Sequence, residues 1–177
     1  MAGAGEMARL FFALWPDSDL QAKLAAWAKR AAGKGRPMRR ENIHLTLAFL
    51  GDTKAALVPD LIALARDLVF APIRLPLDRV GYWKHNRIIW CGAEQDPAAL
   101  TGLVAALRAR LDAAGIAYDR KPFVSHVTLV RNALGLDAAP AWVPLIWEAV
   151  DFVLVTSARI EGRVAYQVMQ RFPAAAG

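Results

Sequence analysis

Two six-residue stretches repeat one arrangement of polar groups. Residues 44–49 read His-Leu-Thr-Leu-Ala-Phe, and residues 126–131 read His-Val-Thr-Leu-Val-Arg. The chain has three histidines, and two of them stand in the same His-x-Thr-Leu setting, nearly half the chain apart. Both stretches are apolar enough to read as strands, on which successive side chains alternate faces. His44 and Thr46 then share a face, with Ala48 beyond them, while Leu45, Leu47 and Phe49 enter the apolar layer behind. His126 and Thr128 share a face in the same way, with Val127 and Leu129 opposite. Each motif offers one imidazole and one hydroxyl on a rigid support, and rigid positioning supplies much of a reaction's rate.

Imidazole changes charge near pH 6.5, so one ring can be neutral while another is protonated. A neutral ring accepts a proton from water, and an imidazolium donates one to a departing oxygen. Threonine hydroxyls can bind the non-bridging oxygens of a phosphate held between them. Together these groups suit metal-free, in-line cleavage of a phosphodiester. Attacking and departing oxygens lie on opposite sides of phosphorus, so the two rings must come from opposite walls of a cleft.

The flanking sequence predicts elements that build such walls. Residues 9–16 read as a buried strand, and Asp17 or Ser18 caps a helix over 20–32. A strand follows over 42–51. A second helix spans about 53–69, with Pro59 an early disturbance. Residues 73–83 and 87–94 read as a hairpin around Lys84-His85-Asn86. A helix over about 97–114 carries Leu100, Leu103, Val104, Leu107 and Leu111 on one face. A strand over 125–131, a Pro-containing connection over 138–144, and a terminal hairpin from 149–160 and 164–172 complete the order. Residues 1–7 read as a flexible lead-in and 173–177 as a disordered tail. Mixed helices and hairpins indicate an α+β fold with mainly antiparallel sheets, arranged as two similar halves.

Composition narrows the class. The 177 residues are 56% hydrophobic and 21% charged, which suits a packed core rather than disorder. The net charge of +6 favours an anionic partner. The one cysteine, Cys91, makes no internal disulfide and fits a reducing compartment. No apolar run reaches the ~18 residues of a membrane span. The segment RLFFALWP is a poor signal peptide because acidic residues follow it at once, so the expected location is the cytoplasm. No cluster of Cys and His suggests a metal. "GKG" at 33–35 lacks the spacing of a phosphate-binding P-loop.

The segments RLFFALWP, ENIHLTLAFLG, VGYW…RIIWCG and KPFVSHVTLVRNA resemble the two-histidine phosphoesterases. More closely they resemble the bacterial RNA 2′,3′-cyclic phosphodiesterases, historically called 2′-5′ RNA ligases, over about residues 9–172. The resemblance implies one bilobal α+β domain with two mainly antiparallel sheets, outer helices, a pseudo-two-fold duplication and a central cleft. It also implies hydrolysis of RNA 2′,3′-cyclic phosphate ends to a 2′-phosphate without cofactor or metal, with ligation as the reverse reaction. By the same resemblance His44 is the proton donor, His126 the acceptor, and Thr46, Thr128 and Arg131 bind phosphate. For Arg131 the two arguments diverge: strand alternation aims a residue five places after His126 at the opposite face. Phe123, Tyr82 and Trp83 are candidates for stacking on a base, Phe123 foremost. His85, without a threonine partner, reads as an exposed loop residue. Lys34, Arg36, Arg39 and Arg40, like Arg120 and Lys121, are either solvated loop charges or contacts to an RNA backbone. The expected partner is RNA with a cyclic phosphate end or a small cyclic nucleotide, met by a monomer. Two alternatives stay open: the same site acting on another cyclic phosphate or a 2′-5′ oligonucleotide, and an RNA-end binding module without turnover.

Overall fold

The first strand shows how this sequence builds two apolar layers. In the computed structural model, which describes residues 5–177, β1 (Met7–Leu14) is buried on both faces from Leu10 onward. Leu10, Phe12 and Leu14 enter the main core, whereas Phe11 and Ala13 face a smaller cluster with Val153 and Val155. Such two-sided burial requires a central strand. β1 indeed lies between β3 (Leu45–Lys54) and β9 (Asp151–Ile160), and β10 (Arg163–Pro173) completes a sheet of order β10-β9-β1-β3.

The second sheet has order β2-β7-β6-β5, from β2 (Arg36–Pro37), β5 (Arg79–Trp83), β6 (Ile88–Gly92) and β7 (Val127–Arg131). A further pair joins β4 (Ile73–Leu77) to β8 (Leu145–Ala149). Among the described residues every strand pairing is antiparallel. Among the described residues three α-helices cover these sheets: α1 (Ser18–Ala31), α2 (Val58–Arg66) and α3 (Ala98–Ala113). The Asp17 carboxylate accepts from the Leu20 amide at 2.8 Å, satisfying one of the orphan donors that open a helix. α1 follows a strand of the first sheet yet packs on β7 of the second, and α3 packs on β3 of the first. One apolar cluster therefore includes residues of both sheets, with Leu45 and Leu47 from one and Val127 and Leu129 from the other.

Several expectations need correction. The predicted helix over 53–69 begins later, because β3 continues to Lys54 and a 3-10 turn occupies Ala55–Leu57. Pro59 lies in the first turn of α2, where its missing amide costs nothing, so it starts the helix rather than disturbing it. The predicted strand 73–83 is two strands with different partners: β4 pairs with β8, and β5 pairs with β6. β8 is a strand the sequence does not predict: it falls between the expected connection over 138–144 and the expected strand over 149–160, overlapping the latter only at Ala149. The tail is tied down, with the Ala174 amide donating to Val150 and the Ala175 amide to Phe70. Of the predicted flexible lead-in, residues 1–4 lie outside the described residues, and Met7 already begins β1.

Candidate active site

Both motif strands carry a β-bulge directly after the motif threonine. In β3, Thr46 pairs with Ala13 but Ala48 pairs with Phe12, so Leu47 is the extra residue. In β7, Thr128 pairs with Trp90 but Val130 pairs with Ile89, so Leu129 is the extra residue. A bulge lets two consecutive side chains fall on one face and shifts the alternation by one. Leu47 and Ala48 are accordingly both buried, as are Leu129 and Val130. The residue five places after each histidine returns to the histidine's face. This resolves the divergence over Arg131, which lines the same cavity as His126 and Thr128. It also corrects the placement of Ala48, which enters the core, and of Phe49, which lines the cavity.

The two rings are anchored alike. His44 Nδ1 lies 2.7 Å from the Asn42 carbonyl, and His126 Nδ1 lies 2.9 Å from the Val124 carbonyl. A carbonyl only accepts, so Nδ1–H donates in both cases and Nε2 is the nitrogen that gains or loses a proton. His44 Nε2 is 3.1 Å from Thr46 Oγ1, whose hydroxyl donates to it while the ring is neutral. The surroundings differ. The Trp15 ring stacks on His44 at 5.3 Å and 10°, Phe11 lies at 4.9 Å, and Tyr166 meets it edge-on at 5.1 Å. His126 meets the edge of Trp83 at 4.7 Å.

Burial therefore dominates the titration of His44. Its pKa is held down at about 4, chiefly by desolvation; the Asn42 hydrogen bond opposes this, and the charges of Arg131 and His126 add to it. His126 is also held below its ordinary value, by desolvation first and by Arg131 as well, against the Val124 hydrogen bond. At pH 7 both rings of the ligand-free protein are neutral.

His44, Thr46, His126, Thr128 and Arg131 line one cavity of about 230 Å³ between the two sheets. Sequence reasoning missed Arg9, Phe11, Ser157 and Tyr166, which complete its lining. Arg9 pairs across the sheet with Ser157, and Ser157 with Tyr166, so one row of cross-strand neighbours supplies three of them. Their only local signal is the alternation in β1 that puts Arg9, Phe11 and Ala13 on one face; the register to β9 and β10 is non-local.

An adjoining hollow of about 530 Å³ shares His126, Thr46 and Phe49 with the cavity and is walled by Trp83, His85, Phe123 and Pro122. Phe123 lies there, next to the two-histidine cavity rather than in it. His85 is exposed, as predicted, and lies 6.3 Å from Trp83 between ring centres. The Tyr82 hydroxyl donates to the Ala133 carbonyl, which fixes that side chain in the fold. The basic run 34–40 divides: Arg36 and Arg39 line a groove beside the cavity, whereas Arg40 is spent on the Ser18 carbonyl and hydroxyl. Arg120 pairs with Asp112 and Lys121 with Asp119. Among the described residues no group of three His, Cys, Asp or Glu side chains could hold a metal ion.

Comparison with known proteins supplies relatives for this arrangement. The sequence model of the family described as LigT like Phosphoesterase matches residues 14–90. An RNA 2′,3′-cyclic phosphodiesterase of Escherichia coli is 31% identical over 170 residues, covering 94% of this chain and 97% of that protein. A protein of the same name from Thermus thermophilus is 30% identical, covering 93% and 89%. The apo crystal structure of E. coli LigT superposes with a TM-score of 0.86 at 31% identity, over 97% of this chain and all of that one.

Proposed function

This chain belongs to the LigT-like phosphoesterase family, and on that premise we propose that it is an RNA 2′,3′-cyclic phosphodiesterase acting by histidine acid–base catalysis. The observation that carries the reading is one cavity lined by two His-Thr pairs and an arginine, drawn from two different sheets. His126 Nε2 takes a proton from water as its oxygen bonds to phosphorus. The bond from phosphorus to O3′ breaks, and His44 Nε2–H protonates that oxygen. The products are a 2′-phosphate and a free 3′-hydroxyl. Thr46 and Thr128 hold the non-bridging oxygens, and Arg131 offsets the charge that builds on them. Phe123 and Trp83 offer faces to the terminal base. Ligation is the same displacement rather than its reverse: the 5′-hydroxyl of a second RNA takes the place of water, gives its proton to His126 and bonds to phosphorus, and O3′ leaves with the proton of His44, so that a 2′-5′ linkage forms. The whole chain acts as one bilobal, monomeric unit in the cytoplasm, and no helix among the described residues is long and apolar enough to cross a membrane.

Both rings are neutral at pH 7 before substrate arrives, and His44 must carry a proton to act as the acid. The phosphodiester supplies the means. Its negative charge favours imidazolium and raises both pKa values, opposing the desolvation that lowers them. The pH profile of kcat, which reports the complex, therefore lies at higher pH than that of kcat/KM, which reports the free enzyme.

The test is product analysis on a defined oligoribonucleotide ending in a 2′,3′-cyclic phosphate. The expected product carries a 2′-phosphate, and the rate survives chelator. A 3′-phosphate product would reverse which oxygen departs, loss of activity in chelator restored by a divalent ion would overturn the metal-free scheme, and binding without product would leave an RNA-end binding module. Substrate competition at equal concentration against a 2′-5′ oligonucleotide and another cyclic phosphate fixes the substrate class.

A further inference from the structure

The cavity that holds the two histidines opens onto surfaces of opposite character. On one side is the hollow of Trp83 and Phe123, whose lining carries two cations: Lys121, paired with Asp119, and Arg108, which donates to the Lys121 carbonyl and lies over the Tyr118 ring. On the other is a groove of about 760 Å³ that shares Arg9, Arg131, Ser157 and Tyr166 with the cavity. Among the described residues its lining contains Arg9, Arg36, Arg39, Arg131, Arg159 and Arg163 and no acidic residue. Arg9 and Arg39 pair with Asp52 and Glu41, which lie outside the lining. Arg36, Arg131, Arg159 and Arg163 form no ion pair among the described residues.

The arginines come from four separate places: β1, β2 with the residues after it, the end of β7, and the tip of the β9–β10 hairpin. The hairpin tip is held against the first motif, because the Asn42 side-chain amide donates to the Val164 carbonyl at 3.1 Å while the Asn42 carbonyl anchors His44. The four arginines without an ion pair, Arg36, Arg131, Arg159 and Arg163, repel one another where they converge, and a polyanion relieves that repulsion. The groove has over three times the volume of the cavity, more than a single phosphate group needs.

We propose that this groove is the track for the RNA body: the backbone phosphates upstream of the cyclic end run over Arg36, Arg39, Arg159 and Arg163. The proposal rests on the cyclic phosphodiesterase reading and adds a direction to it. A 2′,3′-cyclic phosphate exists only at a 3′ terminus, so the chain leaves the reacting nucleotide by its 5′ side alone. With the terminal base in the aromatic hollow, the 5′ strand crosses the cavity mouth into the arginine groove. Backbone contacts of this kind carry no base specificity, so the enzyme discriminates by length and charge rather than by sequence.

The test compares a 2′,3′-cyclic mononucleotide with a cyclic-phosphate oligoribonucleotide of about six residues over a range of salt. The triple variant Arg36→Ala/Arg159→Ala/Arg163→Ala leaves turnover of the mononucleotide unchanged, which also certifies its folding. For the oligomer its KM rises on the order of tenfold, and the slope of log(kcat/KM) against log salt flattens by about 2, or ~0.7 per phosphate contact on a single strand. The matching triple Lys variant keeps most of the slope, because a point charge suffices at a phosphate. An oligomer KM unchanged in the Ala variant overturns the track, even if inhibition by inorganic tripolyphosphate is lost. Equal losses on both substrates, with the Lys variant normal, also overturn it, because the arginines would then serve the reacting phosphate. A wild-type enzyme that turns over neither substrate refutes the cyclic phosphodiesterase reading beneath it, whatever the groove does.

Discussion

His44 and His126 hold their rings in the same way, Nδ1–H to the carbonyl two residues upstream, and both are followed by a threonine and then a bulge. Beyond that skeleton the halves differ. The first half-site wraps its ring in Trp15, Phe11 and Tyr166, and its fifth position is Phe49. The second leaves its ring beside a single tryptophan, and its fifth position is Arg131. One backbone device appears twice in two environments, one ringed by aromatic side chains, the other with a single tryptophan against the ring and an arginine at its fifth position. The lesson is that equal motifs do not make equal bases: burial sets how readily each ring holds a proton.

The sharpest test of that contrast removes each ring. His44→Ala and His126→Ala should each lower kcat by about 10²–10⁴-fold, the usual contribution of general acid–base catalysis. Added imidazole should restore part of the activity of His126→Ala, whose ring has one aromatic neighbour besides the cavity, and little of His44→Ala, whose place is enclosed by three aromatic rings. Equal rescue of both would end the distinction between the two half-sites.

Exchanging the fifth residues comes next. Arg131→Met should lower kcat by about 10²–10³-fold, as loss of one donor at a developing charge does. It should also move both limbs of the pH profile upward, because the guanidinium depresses both imidazoles and its removal lets each hold a proton at higher pH. Phe49→Leu, at the equivalent position, should leave the limbs where they are. A profile unmoved in Arg131→Met would mean that its charge does not reach the rings.

Stability gives a smaller signal. His44 has a pKa of about 4 in the folded chain against 6.5 unfolded, so its contribution is complete above pH 6.5 and is lost as pH falls towards 4. The loss is at most about 3 kcal/mol at 1.36 kcal/mol per pKa unit. Denaturant melts at pH 7.5 and 4.5 should show a smaller acid loss for His44→Gln than for wild type. His126, also lowered, contributes with the same sign.

The sequence exposed the paired motifs because two rare residues recur at fixed spacing, and it exposed α1 and α3 because their apolar faces are local and periodic. It hid what depends on long-range register. Strict alternation misplaces Arg131 and Phe49, since the bulges at Leu129 and Leu47 exist only relative to β6 and β1. β4 looked like the start of β5 because Asp78 is a weak break, and only pairing with distant β8 separates them. Ser157 and Tyr166 carry no motif at all; they enter the cavity because β9 and β10 happen to align them with Arg9.

The smallest expected effect concerns the anchors themselves. Asn42 and Val124 occupy equivalent positions, and in both the main-chain carbonyl holds the ring. Asn42→Ala loses the hydrogen bond to Val164, worth about 1 kcal/mol, but also removes a buried amide oxygen that has no partner among the described residues. The two changes oppose each other, so the melting temperature should move little, and the same holds for Val124→Ala at an exposed site. Activity of both variants on a cyclic mononucleotide should stay near wild type, because neither substitution touches a carbonyl. A fall in kcat beyond about tenfold in Asn42→Ala alone, with a shifted pH profile, would mean that the Asn42 side chain, by fixing the β9–β10 hairpin, also positions His44. The anchors would then no longer be equivalent, and the first half-site would depend on a support that the second does without.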